Sequence, residues 1–299
     1  MTDRKPLAGV LPILVTPFDD HGRLDEESLR NLAEFFIARG CHGLTILGIA
    51  GEVHKLSDAE RQRVIEVVVD QARGRVPVVA GTGHSGFEVA VELSRAAEAA
   101  GADALLVMPP YVIRPDADGI YEYYQAIAQA VSIPIVVQDE PLTTGVNMPA
   151  ALIARLGEIP GVDYAKVEAT PTPPKLTAIR KLSGDRLGLF GGLGGLYFYE
   201  ELCRGARGIM TGFGFPEVLV EIYNRFQAGD RDGAEEVFYR YLPLIKFEAQ
   251  PGIGLAIRKE ILRRRGLIRS ARLRRPAQLP DPETFRELDR LLGRIGLNN

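Results

Sequence analysis

Seven lysines stand against 29 arginines in this chain, and one of the seven, Lys166, falls inside an apolar run, Val162-Asp163-Tyr164-Ala165-Lys166-Val167. An ammonium buried in a strand is costly unless it is paired or neutral. A free lysine, with a pKa of about 10.4, is neutral about once in 2,500 at pH 7. Burial raises that fraction and prepares the amine to condense with a carbonyl. Position alone leaves two readings open: a nucleophilic amine, or a structural lysine–carboxylate pair. Side chains alternate along a strand, so Tyr164, Lys166 and Glu168 share one face. Glu168 is then either the partner of the amine or a general acid/base for the carbon next to an imine.

The elements that must position these residues follow from periodicity. Short β-rich apolar runs are expected at Gly9–Val15, Gly43–Gly48, Val78–Gly81, Ala104–Met108, Ile133–Gln138, Val162–Val167, Leu187–Gly191 and Gly208–Thr211. Each is followed by an amphipathic helical stretch. Asp25 is placed to cap the first, and Ser57 with Glu60 spells a capping box at the second. Continuous apolar strands are those of a parallel sheet covered on both faces. Eight strand–helix units in about 225 residues fit a (β/α)8 barrel, with a doubly wound open sheet as the structural rival. No Gly-x-Gly-x-x-Gly follows the first strand, which argues against a dinucleotide fold. Beyond Ala228 the strands stop, and Asp230–Lys246, Gly252–Arg265 and Pro282–Ile295 read as helices. The expected organisation is an α/β (β/α)8 TIM barrel over 1–228 and a C-terminal helical region over 229–299.

Composition narrows the function. The 299 residues carry 36 basic and 39 acidic side chains, a net charge of −3, so no basic excess speaks for nucleic acid. Hydrophobic residues make up 46%, which argues against a disordered chain. No apolar run is long enough to span a membrane, and the opening run Leu7–Val15 reads as a strand and not a signal peptide. The two cysteines, Cys41 and Cys203, make no disulfide framework, and a reduced cytoplasmic setting is expected. The arginine cluster Arg263–Arg265 with Arg269, Arg272, Arg274 and Arg275 reads as a solvated helix end or a subunit contact.

In such a barrel the active site lies at the C-terminal ends of the strands. That places Gly48 to Glu52, Thr82 to His84, Pro109 to Tyr111, Gln138 to Glu140, Lys166 to Glu168, Gly191 to Gly194 and Met210 to Gly212 at the mouth. His84 is a candidate proton carrier or a loop histidine bonded to backbone. His21, His42 and His54 show no ligand spacing and read as surface or structural. Asp139 and Glu140 sit at a strand end, where either can face substrate or a subunit contact. The glycines at Gly191–Gly195 let a ligand approach backbone or form a plain turn.

Several motifs together resemble the dihydrodipicolinate synthase/N-acetylneuraminate lyase family. Tyr164 to Thr170 is similar to its Schiff-base lysine strand, and Gly48-Ile49-Ala50-Gly51-Glu52 to its Gly-Thr-Thr-Gly-Glu carboxylate loop. Val79 to Gly83, Pro109 to Tyr111 with Arg114-Pro115, Pro141 to Gly145 and the opening Val15 to Phe18 also match, in order, across nearly the whole chain. The resemblance implies a class I aldolase or dehydratase mechanism without metal or other cofactor. It implies a small 2-keto acid substrate held near Gly48, Ile49, Ala50, Gly51, Tyr111, Gly191 and Met210, and a homotetramer built as a dimer of dimers.

The departures bear on which reaction. The family's strand-five tyrosine corresponds to Gln138, whose amide hydrogen-bonds but does not titrate. The loop threonines are Ile49 and Ala50, a second tyrosine is Val112, and the mouth arginine is Thr143. The synthase hydroxyl relay is therefore largely missing. Gln138 to Pro141, with Lys166 to Glu168 and His84, resembles the branch that dehydrates 2-keto-3-deoxy sugar acids. The expectation is a Schiff-base lyase on such an acid, dehydratase or aldolase, with Lys166, Glu168, His84 and Gln138 as the catalytic set. A pyruvate-condensing synthase and a non-catalytic keto-acid-binding protein are the alternatives.

Overall fold

The computed structural model describes residues 6–297, so the outermost limits of the expected regions lie outside the described residues. Eight parallel strands, β1 (Gly9–Val10), β2 (Leu44–Ile46), β3 (Val78–Gly81), β4 (Ala104–Val107), β5 (Ile135–Asp139), β6 (Val162–Val167), β7 (Gly188–Gly191) and β8 (Gly208–Ile209), pair in the order 1-8-7-6-5-4-3-2. The ring is completed between the first and second strands. Ile13 bridges Thr45 in parallel, Leu14 N–H donates to Thr45 O at 2.8 Å, and His42 N–H donates to Val10 O at 2.9 Å. The structure is the TIM barrel expected from the strand count.

Among the described residues twelve α-helices run α1 (Glu26–Ala38), α2 (Asp58–Ala72), α3 (Phe87–Ala99), α4 (Ala117–Ala130), α5 (Pro141–Thr144), α6 (Ala150–Leu156), α7 (Thr172–Ser183), α8 (Phe198–Cys203), α9 (Pro216–Gln227), α10 (Arg231–Glu248), α11 (Gly254–Arg264) and α12 (Pro282–Ile295). Asp25 caps α1 by accepting from Ser28 N–H, and Ser57 and Glu60 form a complete capping box at α2. Caps of this kind hold a helix start by about 1 kcal/mol each. Because α10 to α12 follow the last strand, they pack outside the strand–helix repeat, and α11 returns to the barrel mouth.

The first strand is shorter than the apolar run suggested. The regular ladder with β8 ends at Val10, and Pro12, with no N–H to give, faces β2, where its O accepts from Thr45 N–H at 2.8 Å. Pairing continues irregularly, with Leu11 N–H on Ile209 O (2.9 Å) and Ile13 N–H on Thr211 O (3.1 Å). A second difference is α5, a single turn just after β5, started by Pro141 and capped by Glu140, whose carboxylate accepts from Thr143 N–H at 2.9 Å.

The core has two parts. Between strands and helices lies the large apolar layer. Inside the barrel a smaller cluster, including Leu11, Leu106, Val136, Tyr164, Phe190 and Met210, fills the lower interior. A plugged interior leaves only the upper mouth open to a ligand.

Candidate active site

The two faces of β6 separate as alternation requires. Tyr164 packs in the barrel interior, and its hydroxyl accepts from Leu7 N–H at 3.0 Å. Two residues on, Lys166 is 1% exposed, and two further on Glu168 stands at the mouth. Lys166 Nζ lies 2.7 Å from Glu168 Oε2. Gln138, directly opposite Lys166 in the β5–β6 register, donates Nε2–H to the same oxygen at 3.0 Å. Leu193 N–H donates to Glu168 Oε1 at 3.1 Å. Three donors on one carboxylate fix its orientation. Gly192 makes room for it, because a Cβ there would sit 2.5 Å from Glu168 Cγ.

These side chains line a cavity of about 320 Å³ at the strand ends. Ile49, Ala50, His54, Glu140, Thr143, Leu193, Thr211, Glu248 and Arg258 complete most of its wall. Of the residues expected from sequence, Lys166, Glu168, Gln138, Ile49 and Ala50 therefore meet in one place. Burial pushes the Glu140 carboxyl up, with the neighbouring Glu168 charge adding to it.

Other expected residues lie elsewhere. His84 is not among the lining residues; its Nδ1 accepts from Gly86 N–H at 3.0 Å, and its backbone exchanges hydrogen bonds with the Tyr123 hydroxyl. Those are bonds within its own loop and to α4. Tyr111 is also absent from the wall, on the loop after β4. Met210 packs in the barrel interior. Gly48 and Gly51 form the two ends of a single 3-10 turn, and Gly51 O accepts from the Thr16 hydroxyl at 2.5 Å.

Gly191 makes room for a neighbour. A Cβ there would collide with the Glu201 carboxyl of α8. Glu201 Oε1 accepts from the Thr172 hydroxyl at 2.6 Å, its Oε2 has no hydrogen-bond partner, and burial pushes the group up to about 8. Asp139, on the outward face of β5, pairs with Lys175 Nζ of α7 at 2.7 Å. Burial pushes this carboxyl up to about 6, against the pull of Lys175.

Sequence reasoning missed four contributors. His54 was read as surface or structural, yet it lines the cavity; burial holds its imidazole below the usual range. Arg258 and Glu248 come from the C-terminal helices, where no strand-end rule points. Lys259, 0% exposed, donates to Thr16 O (2.8 Å), Glu52 Oε1 (2.6 Å) and Arg272 O (2.8 Å). Glu52, in the left-handed region at φ 56°, also pairs with Lys55 (3.0 Å) and accepts from Arg274 N–H (3.0 Å). The glutamate of the 48–52 loop thus faces away from the cavity and bolts that loop to α11 and the segment after it.

A buried amine touching a carboxylate, at the mouth of a closed (β/α)8 barrel with added C-terminal helices, defines a class I, Schiff-base-forming lyase. The chain belongs to the dihydrodipicolinate synthetase family, which it matches over residues 6–294. It is 41% identical over 238 residues to a 4-hydroxy-tetrahydrodipicolinate synthase of Syntrophobacter fumaroxidans, covering 79% of this chain and 81% of that one. It is 34% identical over 285 residues to an L-2-keto-3-deoxyarabonate dehydratase of Azospirillum brasilense, covering 94% of this chain and 92% of that one. Its fold is similar to the crystal structure of dihydrodipicolinate synthase from Rhodopseudomonas palustris, with TM-score 0.90, 36% identity, and 96% and 97% of the two chains covered.

Proposed function

We propose that the protein dehydrates a 2-keto-3-deoxy sugar acid through an imine on Lys166. The observation that carries this reading is the Glu168 carboxylate, 2.7 Å from Lys166 Nζ and bonded to the amide of Gln138. A single oriented carboxylate at the amine does the work that a dehydration needs. Glu168 takes a proton from the lysine ammonium, and the free amine adds to the keto carbon; Glu168 then gives that proton to the carbinolamine hydroxyl, which leaves as water as the iminium forms. The carboxylate then removes a proton from the adjacent carbon, leaving an enamine. Returned to the hydroxyl on the next carbon, that proton lets the hydroxyl leave as water. Hydrolysis of the imine frees the product and the amine, for a net loss of one water. Gln138 cannot titrate, so its part is to hold Glu168 in place.

The synthase-like alternative is supported by the printed activity of the Syntrophobacter fumaroxidans relative. Against it stands the cavity wall, which among the described residues holds no tyrosine. Incubation with a 2-keto-3-deoxypentonate, with products separated by chromatography, tests the reading. A dehydrated product supports it. Release of pyruvate would make the enzyme an aldolase, and condensation of pyruvate with an aldehyde would make it a synthase.

We further infer a homotetrameric assembly. Val112 (71% exposed), Ile113 and Leu142 form an apolar surface on loops that meet where Arg114 packs on Gly145. Light scattering that returns a monomer mass would refute this.

A further inference from the structure

The cavity contains one cationic group whose ends are left open. Arg258 reaches from α11 across the end of β8, where Gly212 has no side chain; a Cβ there would lie 2.5 Å from Arg258 Nη1. Its Nε donates to Glu248 Oε2 at 3.1 Å. Glu248, the last residue of α10, is held in turn by Gly214 N–H at 3.0 and 3.1 Å. Among the described residues neither terminal nitrogen of Arg258 has a hydrogen-bond partner, although the side chain is only 9% exposed and lines the cavity. A guanidinium fixed at Nε and unsatisfied at both ends is an unfinished donor set.

We propose that Arg258, positioned by Glu248, binds the hydroxylated tail of the substrate and selects 2-keto-3-deoxyaldonic acids over both tail-less keto acids and dicarboxylic ones. The proposal rests on the dehydratase reading for its substrate class. The Schiff-base end of the ligand is held at β6, while Arg258 stands over β8 on a different part of the wall. The guanidinium does not act as a lone charge. Glu248 neutralises it and lines the cavity beside it, so donors and an acceptor are offered together. A hydroxyl uses both; a second carboxylate uses only the donors and is repelled by the acid. The wall as a whole carries three carboxylates, Glu140, Glu168 and Glu248, against the two cations Lys166 and Arg258. That balance opposes a second anionic group on the ligand.

Borohydride trapping reads this without requiring turnover. Half-saturating concentrations for adduct formation are measured by intact mass with pyruvate and with a 2-keto-3-deoxypentonate, on the unaltered protein, Arg258→Met and Arg258→Lys. The pentonate value is expected to rise at least about tenfold more than the pyruvate value in Arg258→Met, with Arg258→Lys in between. Equal rises for both acids, or no rise, would overturn the assignment. Should Arg258→Met fail to fold in a thermal melt, Arg258→Lys and the unaltered protein decide. The unaltered protein is expected to trap the pentonate at lower concentration than pyruvate or the 2-keto-3-deoxy dicarboxylate of equal length. A dicarboxylate trapped as readily as the pentonate would overturn the selectivity. Trapping that follows the expected ratios without any dehydrated product would refute the dehydratase reading and leave Arg258 where it is placed here.

Discussion

Lys166 Nζ and Glu168 Oε2 are 2.7 Å apart on the same face of β6, separated in sequence by Val167, whose side chain points into the outer core. The strand's own alternation therefore builds a proton-transfer pair that needs no loop to close over it. Gln138 and the Leu193 amide hold the carboxylate from two other elements.

Glu168→Gln should suppress turnover by roughly a hundredfold or more, the range for loss of a general acid/base. Imine trapping, which needs Glu168 only to relay the proton of the amine, should fall less. The comparison is made between steady-state rate and single-turnover adduct formation. Equal loss in both would return Glu168 to a lysine-supporting role.

Gln138→Tyr should not convert the protein into a synthase. The tyrosine would restore one titratable hydroxyl, but Ile49, Ala50 and Val112 still supply none. It would also remove the amide bond to Glu168, so a rate loss is expected. Full condensing activity in that single variant would refute the assignment of Gln138.

Lys259→Met should destabilise the protein by about 3–5 kcal/mol, because it leaves Glu52 buried without its principal countercharge. Glu52→Leu should cost a similar amount. The double change Lys259→Met with Glu52→Leu should cost less than either single one. Urea denaturation of the three variants measures this; additive costs would show that the pair is not coupled.

Glu201 gives the fold a pH dependence of definite sign. Its pKa is raised in the folded state from 4.5 to about 8, so between those values the native state binds the extra proton. Its contribution is fully present below about pH 4.5 and is lost as pH rises through about 8, up to roughly 5 kcal/mol. Glu201→Gln should keep the Thr172 contact and remove this slope. Melting temperatures from pH 5 to pH 9 test it, and an unchanged slope in the variant would exclude Glu201 as the source.

Much of the barrel was legible because its signals are local. The capping box at Ser57 and Glu60 and the β6 run with its lysine depend on neighbours in sequence, and both stand where periodicity put them. The end of β1 depends on how far its pairing with the short β8 stays regular, which the apolar pattern of one segment does not register. At the site, alternation brought Lys166 and Glu168 together on paper, and the strand-end rule added Gln138. The same rule also collected His84 and Gly191, which serve a loop and the Glu201 carboxyl instead. Arg258, Glu248 and Lys259 were invisible for the opposite reason: helices remote in sequence bring them to the mouth, and a charged residue on a helix reads as surface until its packing is known.

The imine on Lys166 is tested most directly by incubating the protein with pyruvate and borohydride and mapping the adduct by peptide mass spectrometry, in parallel with Lys166→Ala. Lys259 is the informative rival, since it is also fully buried and burial lowers its pKa to about 8, but all three of its donors are engaged. The expected result is one adduct, on the peptide carrying Lys166, absent from the variant. An adduct that persists in Lys166→Ala, or that maps to Lys259, would contradict the assignment.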